Sequence, residues 1–130
     1  ISGPLMDRID LLCEVNPVPA YILTGESASE SSRDIRARVE NARRIQLERF
    51  DGRILTNSQM SASELRMHCK TGKKETEFLS GAINRLSLSA RAFSRILKVA
   101  RTIADLENSQ NISVCHIAEA IQYRRAGLNY

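Results

Sequence analysis

The chain has 130 residues, of which 42% are hydrophobic and 26% charged, with a formal net charge of +4. This balance is typical of a folded globular domain and excludes a disordered chain. No apolar stretch approaches the ~20 residues of a membrane-spanning helix. Residues 1–30 carry a net charge of −4 and the other hundred carry +8. A basic body permits a nucleic acid or nucleotide as partner, although charge alone is weak evidence.

The first thirty residues predict one strand followed by a linker. Ile9–Val15 alternates apolar and polar residues before an apolar pair, and Asn16–Pro19 ends the strand because proline cannot donate to a ladder. No second convincing strand follows, so the strand would lack a partner. We therefore expect a fragment of a larger α/β protein, with a polar linker over Thr24–Ser32.

The rest of the chain predicts a bundle of helices. Ser61 and Glu64 stand at capping-box spacing, and Ser31 or Ser32 can cap the first long helix. The predicted helices are Ser31–Phe50, a short one opening at Ser61, Lys73–Leu86, Ser89–Glu107 and Ser113–Arg125. The predicted fold class is mainly α, a helical bundle preceded by one strand.

Apolar residues at helical spacing predict which faces are buried. The first helix is predicted to bury Ile35, Val39, Ala42, Gln46 and Phe50. The helix over Lys73–Leu86 is predicted to bury Phe78, Leu79, Ala82, Ile83 and Leu86. The helix over Ser89–Glu107 is predicted to bury Phe93, Ile96, Leu97, Ala100, Ile103 and Ala104. Arg91, Arg95 and Lys98 cluster on the opposite side of the last of these.

Three blocks, in order, resemble one family. Ser2–Leu11 reads S-G-P-L-M-D-R-I-D-L and resembles the S-G-P-L-L-D-R-I-D segment of magnesium-chelatase-like AAA+ ATPases. Leu88–Leu106 and His116–Arg124 resemble the C-terminal helical segments of that family, in its competence-associated (ComM-like) branch. Met6 stands where the family usually has Leu, a swap that conserves volume.

The resemblance implies a division of the chain and a set of partners. Residues 1–24 would be the tail end of the AAA+ core, and 25–130 the C-terminal helical lid domain. No G-x-x-x-x-G-K-[ST] phosphate loop is present, so the fragment alone is not expected to hydrolyse ATP. ATP and Mg²⁺ would bind the longer parent protein. The expected partners are its own core and neighbouring subunits of a homo-oligomeric ring, expected to be a hexamer, with DNA as a candidate.

Two arginines match functional positions of the family. Arg8 would be an arginine finger donated to the nucleotide of a neighbouring subunit, where a fixed guanidinium stabilises charge on the γ-phosphate. Arg91 would be the sensor-2 arginine, reaching the γ-phosphate of its own subunit. The residues alone favour pairing of Arg8 with Asp7 or Asp10, and a solvated face for Arg91; the resemblance favours the functional roles.

Other candidate sites are weaker. Arg33, Arg36, Arg38, Arg43, Arg44 and Arg49 could contact DNA phosphates, but a solvated helix balanced by acidic residues is the preferred interpretation. His68-Cys69 and Cys115-His116 suggest zinc, yet adjacent helical residues point about 100° apart and no C-x-x-C pair exists. No metal site is expected.

Three widely separated cysteines and no visible secretory signal favour a cytoplasmic location without a membrane partner.

Three functions are considered. The first is the lid of an ATPase that drives DNA translocation or branch migration. The second is the motor subunit of a magnesium chelatase, which couples ATP to insertion of Mg²⁺ into a porphyrin. The third is a stand-alone helical DNA-binding or adaptor module, which would bind DNA with a steep dependence on salt.

Overall fold

The computed structural model describes residues 3–25 and 29–125, and this part of the chain is helical. Its elements are α1 (Gly3–Met6), α2 (Ala20–Leu23), α3 (Ser32–Arg49), a 3₁₀ turn (Asn57–Gln59), α4 (Ala62–His68), α5 (Lys73–Arg85), α6 (Ala90–Leu106) and α7 (Val114–Arg125). The mainly helical fold class and all five predicted helices are confirmed. No helix in these ranges is long and apolar enough to cross a membrane.

Side-chain caps fix where the helices begin. Ser31, Ser61 and Ser89 each accept a hydrogen bond from the backbone N–H three residues later, which satisfies a donor that the helix leaves unpaired. Ser61 and Glu64 form the predicted capping box.

Three helices end in the same way, with a left-handed residue and a backbone hydrogen bond that spans six residues. The left-handed residues are Asp51 after α3, Ser87 after α5 and Asn108 after α6. The bonds run from the N–H of Gly52, Leu88 and Ser109 to carbonyls of the last helical turn, at 3.0, 3.0 and 2.8 Å.

Helix α6 lies at the centre of the bundle and packs against α3, α4, α5, α7 and the 3₁₀ turn. Its buried apolar face belongs to one core cluster with Phe50 at the end of α3, Leu79 of α5 and Ile117 of α7. The largest of the fully buried side chains are Phe50, Leu79, Ile96, Ile117, Asn57 and Asp105. The position of α6 matters for function because any group fixed to it is fixed relative to the whole bundle.

The predicted strand over Ile9–Val15 is wrong. The segment has no regular secondary structure, and the backbone N–H of Leu12 donates to the Tyr123 carbonyl on α7, at 2.9 Å. A strand needs a second strand to satisfy its backbone groups, and none is present within the described residues. The short helices α1 and α2 were not predicted. Residues 26–28 of the predicted linker lie outside the described residues.

Some predicted core positions are also wrong. Ile35 and Val39 are 43% and 41% exposed, and Phe93 is 36% exposed. The helical period is correct, since Ala42, Gln46 and Phe50 on the same face of α3 are buried. Ile35 and Val39 are exposed because they lie in residues 32–40 of α3, a stretch that is exposed throughout. No described element covers the apolar side chains of this stretch.

Candidate functional site

The N-terminal segment, residues 3–12, is attached to α6 and α7. Asp10 accepts a hydrogen bond from Arg95 of α6 at 2.7 Å, and Asp7 lies 3.4 Å from Arg124 of α7. The backbone bond from Leu12 to α7 adds a third contact. The two ion pairs use the carboxylates of Asp7 and Asp10, which stand one residue before and two residues after Arg8.

Arg8 follows α1 and is exposed. The alternative in which it pairs with Asp7 or Asp10 is wrong, because those carboxylates bind Arg124 and Arg95 instead. Among the described residues the Arg8 guanidinium forms no ion pair and no side-chain hydrogen bond. Its charge is therefore presented to solvent from a segment that is tied down on both sides.

Arg91 is the second residue of α6 and is also exposed. The cap at Ser89 accepts from the N–H of Ala92 at 3.3 Å, so the first turn that carries Arg91 is defined. No described residue forms an ion pair with Arg91. The predicted alternative, a solvated face shared by Arg91, Arg95 and Lys98, is not formed by all three, since Arg95 binds Asp10 and Lys98 donates to the Ser58 carbonyl at 3.0 Å.

The two predicted site residues are thus linked through one ion pair and do not contact each other. Arg8 precedes Asp10 by two residues, and Arg91 precedes Arg95 by one helical turn. Sequence reasoning identified Arg8 and Arg91 but missed the pair that joins them. No local pattern could have revealed it, because 85 residues separate Asp10 from Arg95.

An open groove of about 840 Å³ lies between the N-terminal segment, the exposed half of α3, and α6 and α7. Its lining includes the apolar side chains of Val99, Ile103 and Leu106 and the basic side chains of Arg38 and Lys98. Neither Arg8 nor Arg91 lines it, so the predicted nucleotide contacts lie on a different part of the surface.

The six arginines of α3 do not form one continuous basic surface. Arg38 pairs with Glu30 and Arg44 with Glu48. Arg49 is largely buried against Asp105. The other three are exposed and form no ion pair with a described residue; they are Arg33, Arg36 and Arg43.

A buried polar network, which sequence reasoning missed, joins α3 to α6. Asp105 accepts from Arg49, Asn57 and Arg101, at distances from 2.5 to 3.2 Å. Arg101 also donates to the carbonyls of Ser109 and Gln110, at 2.6 and 2.8 Å. Burial lowers the pKa of Arg101, and the Asp105 carboxylate acts in the opposite direction. The i,i+4 spacing of Arg101 and Asp105 was the available signal.

The residues of the rejected zinc hypothesis have other roles. His116 Nδ1 accepts from the backbone N–H of Ser113 at 2.9 Å, and its Nε2 lies 2.7 Å from the Glu107 carboxylate. The ring therefore holds its proton on Nε2 and donates it to Glu107. Cys69 is buried while Cys115 is exposed. Within residues 3–25 and 29–125, no three His, Cys, Asp or Glu residues are grouped as metal ligands would be.

The fold defines a domain built as a bundle of helices around α6. A family model described as "Magnesium chelatase, subunit ChlI C-terminal" matches residues 29–124. The chain therefore belongs to the family of magnesium chelatase ChlI-type C-terminal domains.

Individual relatives agree with this assignment. The chain is 45% identical over 126 residues to competence protein ComM of Haemophilus influenzae. It is 38% and 37% identical over 125 residues to the proteins YifB of Escherichia coli and Salmonella typhimurium. Each alignment covers 95% of this chain and 24% of the relative. The chain thus spans about a quarter of the length of the curated relatives that it matches.

Proposed function

We propose that this chain is the C-terminal helical lid of a longer magnesium-chelatase-like AAA+ ATPase, and that it couples ATP binding and hydrolysis to DNA translocation or branch migration. The observation that carries the proposal is Arg91, an exposed arginine in the first turn of the central helix α6 that forms no ion pair with any described residue. The family assignment and the short span of the chain relative to ComM and YifB support it.

Arg91 would contact the γ-phosphate of the nucleotide bound by its own subunit. A guanidinium binds phosphate oxygens through paired, charge-assisted hydrogen bonds. Because no described carboxylate holds Arg91, binding would not require an existing ion pair to break. Helix α6 packs against four other helices, so movement of Arg91 as the γ-phosphate leaves would move the whole lid.

Arg8 would act on the nucleotide of a neighbouring subunit in a homo-oligomeric ring, which we expect to be a hexamer in the cytoplasm. A guanidinium placed there stabilises the charge that develops on the transferred phosphoryl group. Within residues 3–25 and 29–125, no three or more His, Cys, Asp or Glu side chains are grouped so that they could hold a metal ion. We assign binding of Mg²⁺ and the phosphates to the rest of the longer protein.

Site variants of the longer protein test this proposal by ATPase turnover. We expect Arg91→Ala to lower kcat by at least about 10²-fold, because the charge it supplies in the transition state is lost. Arg8→Ala should be inactive alone but active when mixed with Arg91→Ala subunits, which still donate Arg8. Arg66→Ala on α4, exposed and without an ion pair among described residues, is the matched control and should retain wild-type turnover. Unchanged turnover in Arg91→Ala would overturn the assignment.

DNA distinguishes the proposal from a chelatase motor. The competence protein ComM among the relatives favours DNA as the substrate of the longer protein, whereas the family name favours a chelatase. We expect branched or single-stranded DNA to stimulate the ATPase activity. Robust ATPase that is indifferent to DNA would favour the chelatase motor. Tight, salt-sensitive DNA binding by this chain without any ATPase would favour the stand-alone module.

A further inference from the structure

The side-chain contacts described between the N-terminal segment and the bundle come from two arginines, one on α6 and one on α7. Arg95 of α6 binds Asp10 at 2.7 Å. Arg124 of α7 reaches both the Asp7 carboxylate at 3.4 Å and the Ile9 carbonyl at 3.5 Å. The contacted residues lie on both sides of Arg8, so the two arginines hold the chain before and after it.

Arg124 is buried, and its guanidinium therefore requires polar partners. Its side chain is only 9% exposed, and a buried guanidinium without a partner is strongly unfavourable. Among the described residues its side-chain partners are Asp7 and the Ile9 carbonyl. The buried charge of α7 therefore depends on the segment being in place, and the segment is held by that charge.

Arg95, which binds Asp10 of the N-terminal segment, lies on the same helix as Arg91. The two residues are one turn apart on a helix whose buried face fixes it in the bundle. The side chain of Arg95 is 27% exposed and that of Asp10 is 48% exposed, so solvent screens this pair more than the Arg124 contacts. The covalent path from Asp10 back to Arg8 is two residues long.

We propose that Arg95 and Arg124 are positioning residues that fix Arg8 relative to helix α6, so that the lid and the arginine donated to the neighbouring subunit move as one unit. This inference rests on the proposed function of Arg8 and Arg91. Positioning matters because a displacement of about 1 Å in a group that acts on the transition state can cost on the order of 10²-fold in rate.

The first test measures attachment without reference to ATPase activity. Asp10→Arg and Arg95→Asp each place like charges in contact, and the double variant restores an ion pair in reversed order. In the longer protein we expect hydrogen exchange at the Leu12 amide, bonded to Tyr123, to rise about 10-fold in each single variant and to return toward wild type in the double. The Ala100 amide in buried α6 reports on unfolding of the bundle and should not change. Equal Leu12 exchange in all four proteins would overturn the attachment.

The second test measures donation of Arg8 in mixed rings. Arg8→Ala subunits keep an intact site of their own and are activated by Arg91→Ala subunits, which donate Arg8. Adding Asp10→Arg or Arg95→Asp to the donor should lower this activation about 10-fold, with KM for ATP unchanged because the site that turns over is intact. Combining both changes in the donor should restore activation. Arg66→Asp in the donor is the charge-matched control and should have no effect.

The outcomes separate the two proposals. If donors carrying single charge reversals activate as well as unmodified donors, the positioning role is overturned while the finger role of Arg8 stands. If Arg8→Ala itself retains full turnover, the proposed function fails, and the exchange experiment still decides whether Arg95 holds the segment.

Discussion

Arg49 and Asp105 form a two-pronged ion pair between the last residue of α3 and the end of α6. Nη1 lies 2.8 Å from Oδ2 and Nη2 lies 2.5 Å from Oδ1. The Asp105 side chain is fully buried and that of Arg49 is 14% exposed. Asn57 and Arg101 donate to the same carboxylate. One buried acid thus joins α3, the 3₁₀ turn and α6.

Asp105→Asn should be strongly destabilising. It removes the negative charge that compensates Arg49 and Arg101 in a buried site, and breaking a buried pair in this way costs about 3–5 kcal/mol. Urea unfolding of the chain measures the change. Glu48→Gln, which breaks the exposed pair with Arg44, is the control and should cost about 1 kcal/mol or less. Equal effects of the two substitutions would contradict the network.

The two phenylalanines Phe50 and Phe93 should differ in their contribution to stability. Phe50 is fully buried and packs edge-on against His68, with ring centroids 5.2 Å apart. Phe50→Ala should lower the free energy of unfolding by about 3–5 kcal/mol. Phe93→Ala should cost about 1 kcal/mol, because its ring remains 36% exposed. A larger cost at Phe93 would mean that its ring is covered by part of the protein outside the described residues.

The helices were predictable because their signals are local. Ser61 with Glu64, and the apolar period of α6, each depend on residues within a few turns. The N-terminal segment was not predictable, because alternation in Ile9–Val15 indicates a strand only if a second strand is available. The burial of Phe93 was overestimated for a related reason, since periodicity identifies a face and not its neighbour.

The candidate site was predictable only in part. Arg8 and Arg91 were found through their sequence blocks, but nothing local shows that Asp10 binds Arg95 or that Arg124 is buried. Long-range ion pairs depend on the tertiary arrangement of helices, which charge patterns in one sequence do not specify. The preferred interpretation of the α3 arginines was a solvated helix; Arg33, Arg36 and Arg43 are exposed, whereas Arg49 is largely buried against Asp105.

The three cysteines should differ in reactivity. Burial raises the pKa of the Cys69 thiol to about 11, while Cys13 and Cys115 are exposed. Because the thiolate is the reactive form, iodoacetamide at pH 8 should modify Cys13 and Cys115 in the native chain and Cys69 only in denaturant. Peptide mass spectrometry after timed labelling checks this. Labelling of native Cys69 at the rate of Cys115 would show that its site is open to solvent.

Acidification should destabilise the chain partly through His68. Burial, and then the Arg49 guanidinium, lower the pKa of His68 below its ordinary 6.5. Between the folded and unfolded values the unfolded chain binds more protons, so this contribution to stability is present above pH 6.5 and is lost as pH falls through the folded value. Between pH 7 and pH 5, the free energy of unfolding measured in urea should fall less for His68→Gln than for wild type. Equal falls in the two proteins would show that His68 does not contribute to the loss of stability in acid.

If the longer protein is the DNA-driven ATPase proposed above, a triple variant tests whether the exposed arginines of α3 contact the DNA or only form a solvated face. Arg33, Arg36 and Arg43 are exposed and form no ion pair with a described residue. Replacing all three by Ala should weaken DNA binding and make the log–log salt dependence less steep by up to about 3, close to one counterion per lost phosphate contact. ATPase without DNA should remain at the wild-type rate, because none of the three is assigned to the nucleotide.

A second triple variant separates the position of these charges from their number. Arg66→Ala, Lys70→Ala and Lys74→Ala remove the same net charge from exposed positions on and near α4 and α5. If α3 contacts DNA, only the first triple variant should lose stimulation and change the salt slope, since counterion release depends on cations that lie beside phosphates. Equal losses in both would show that stimulation responds to net charge alone. Full stimulation in both would place the DNA contact in another part of the longer protein.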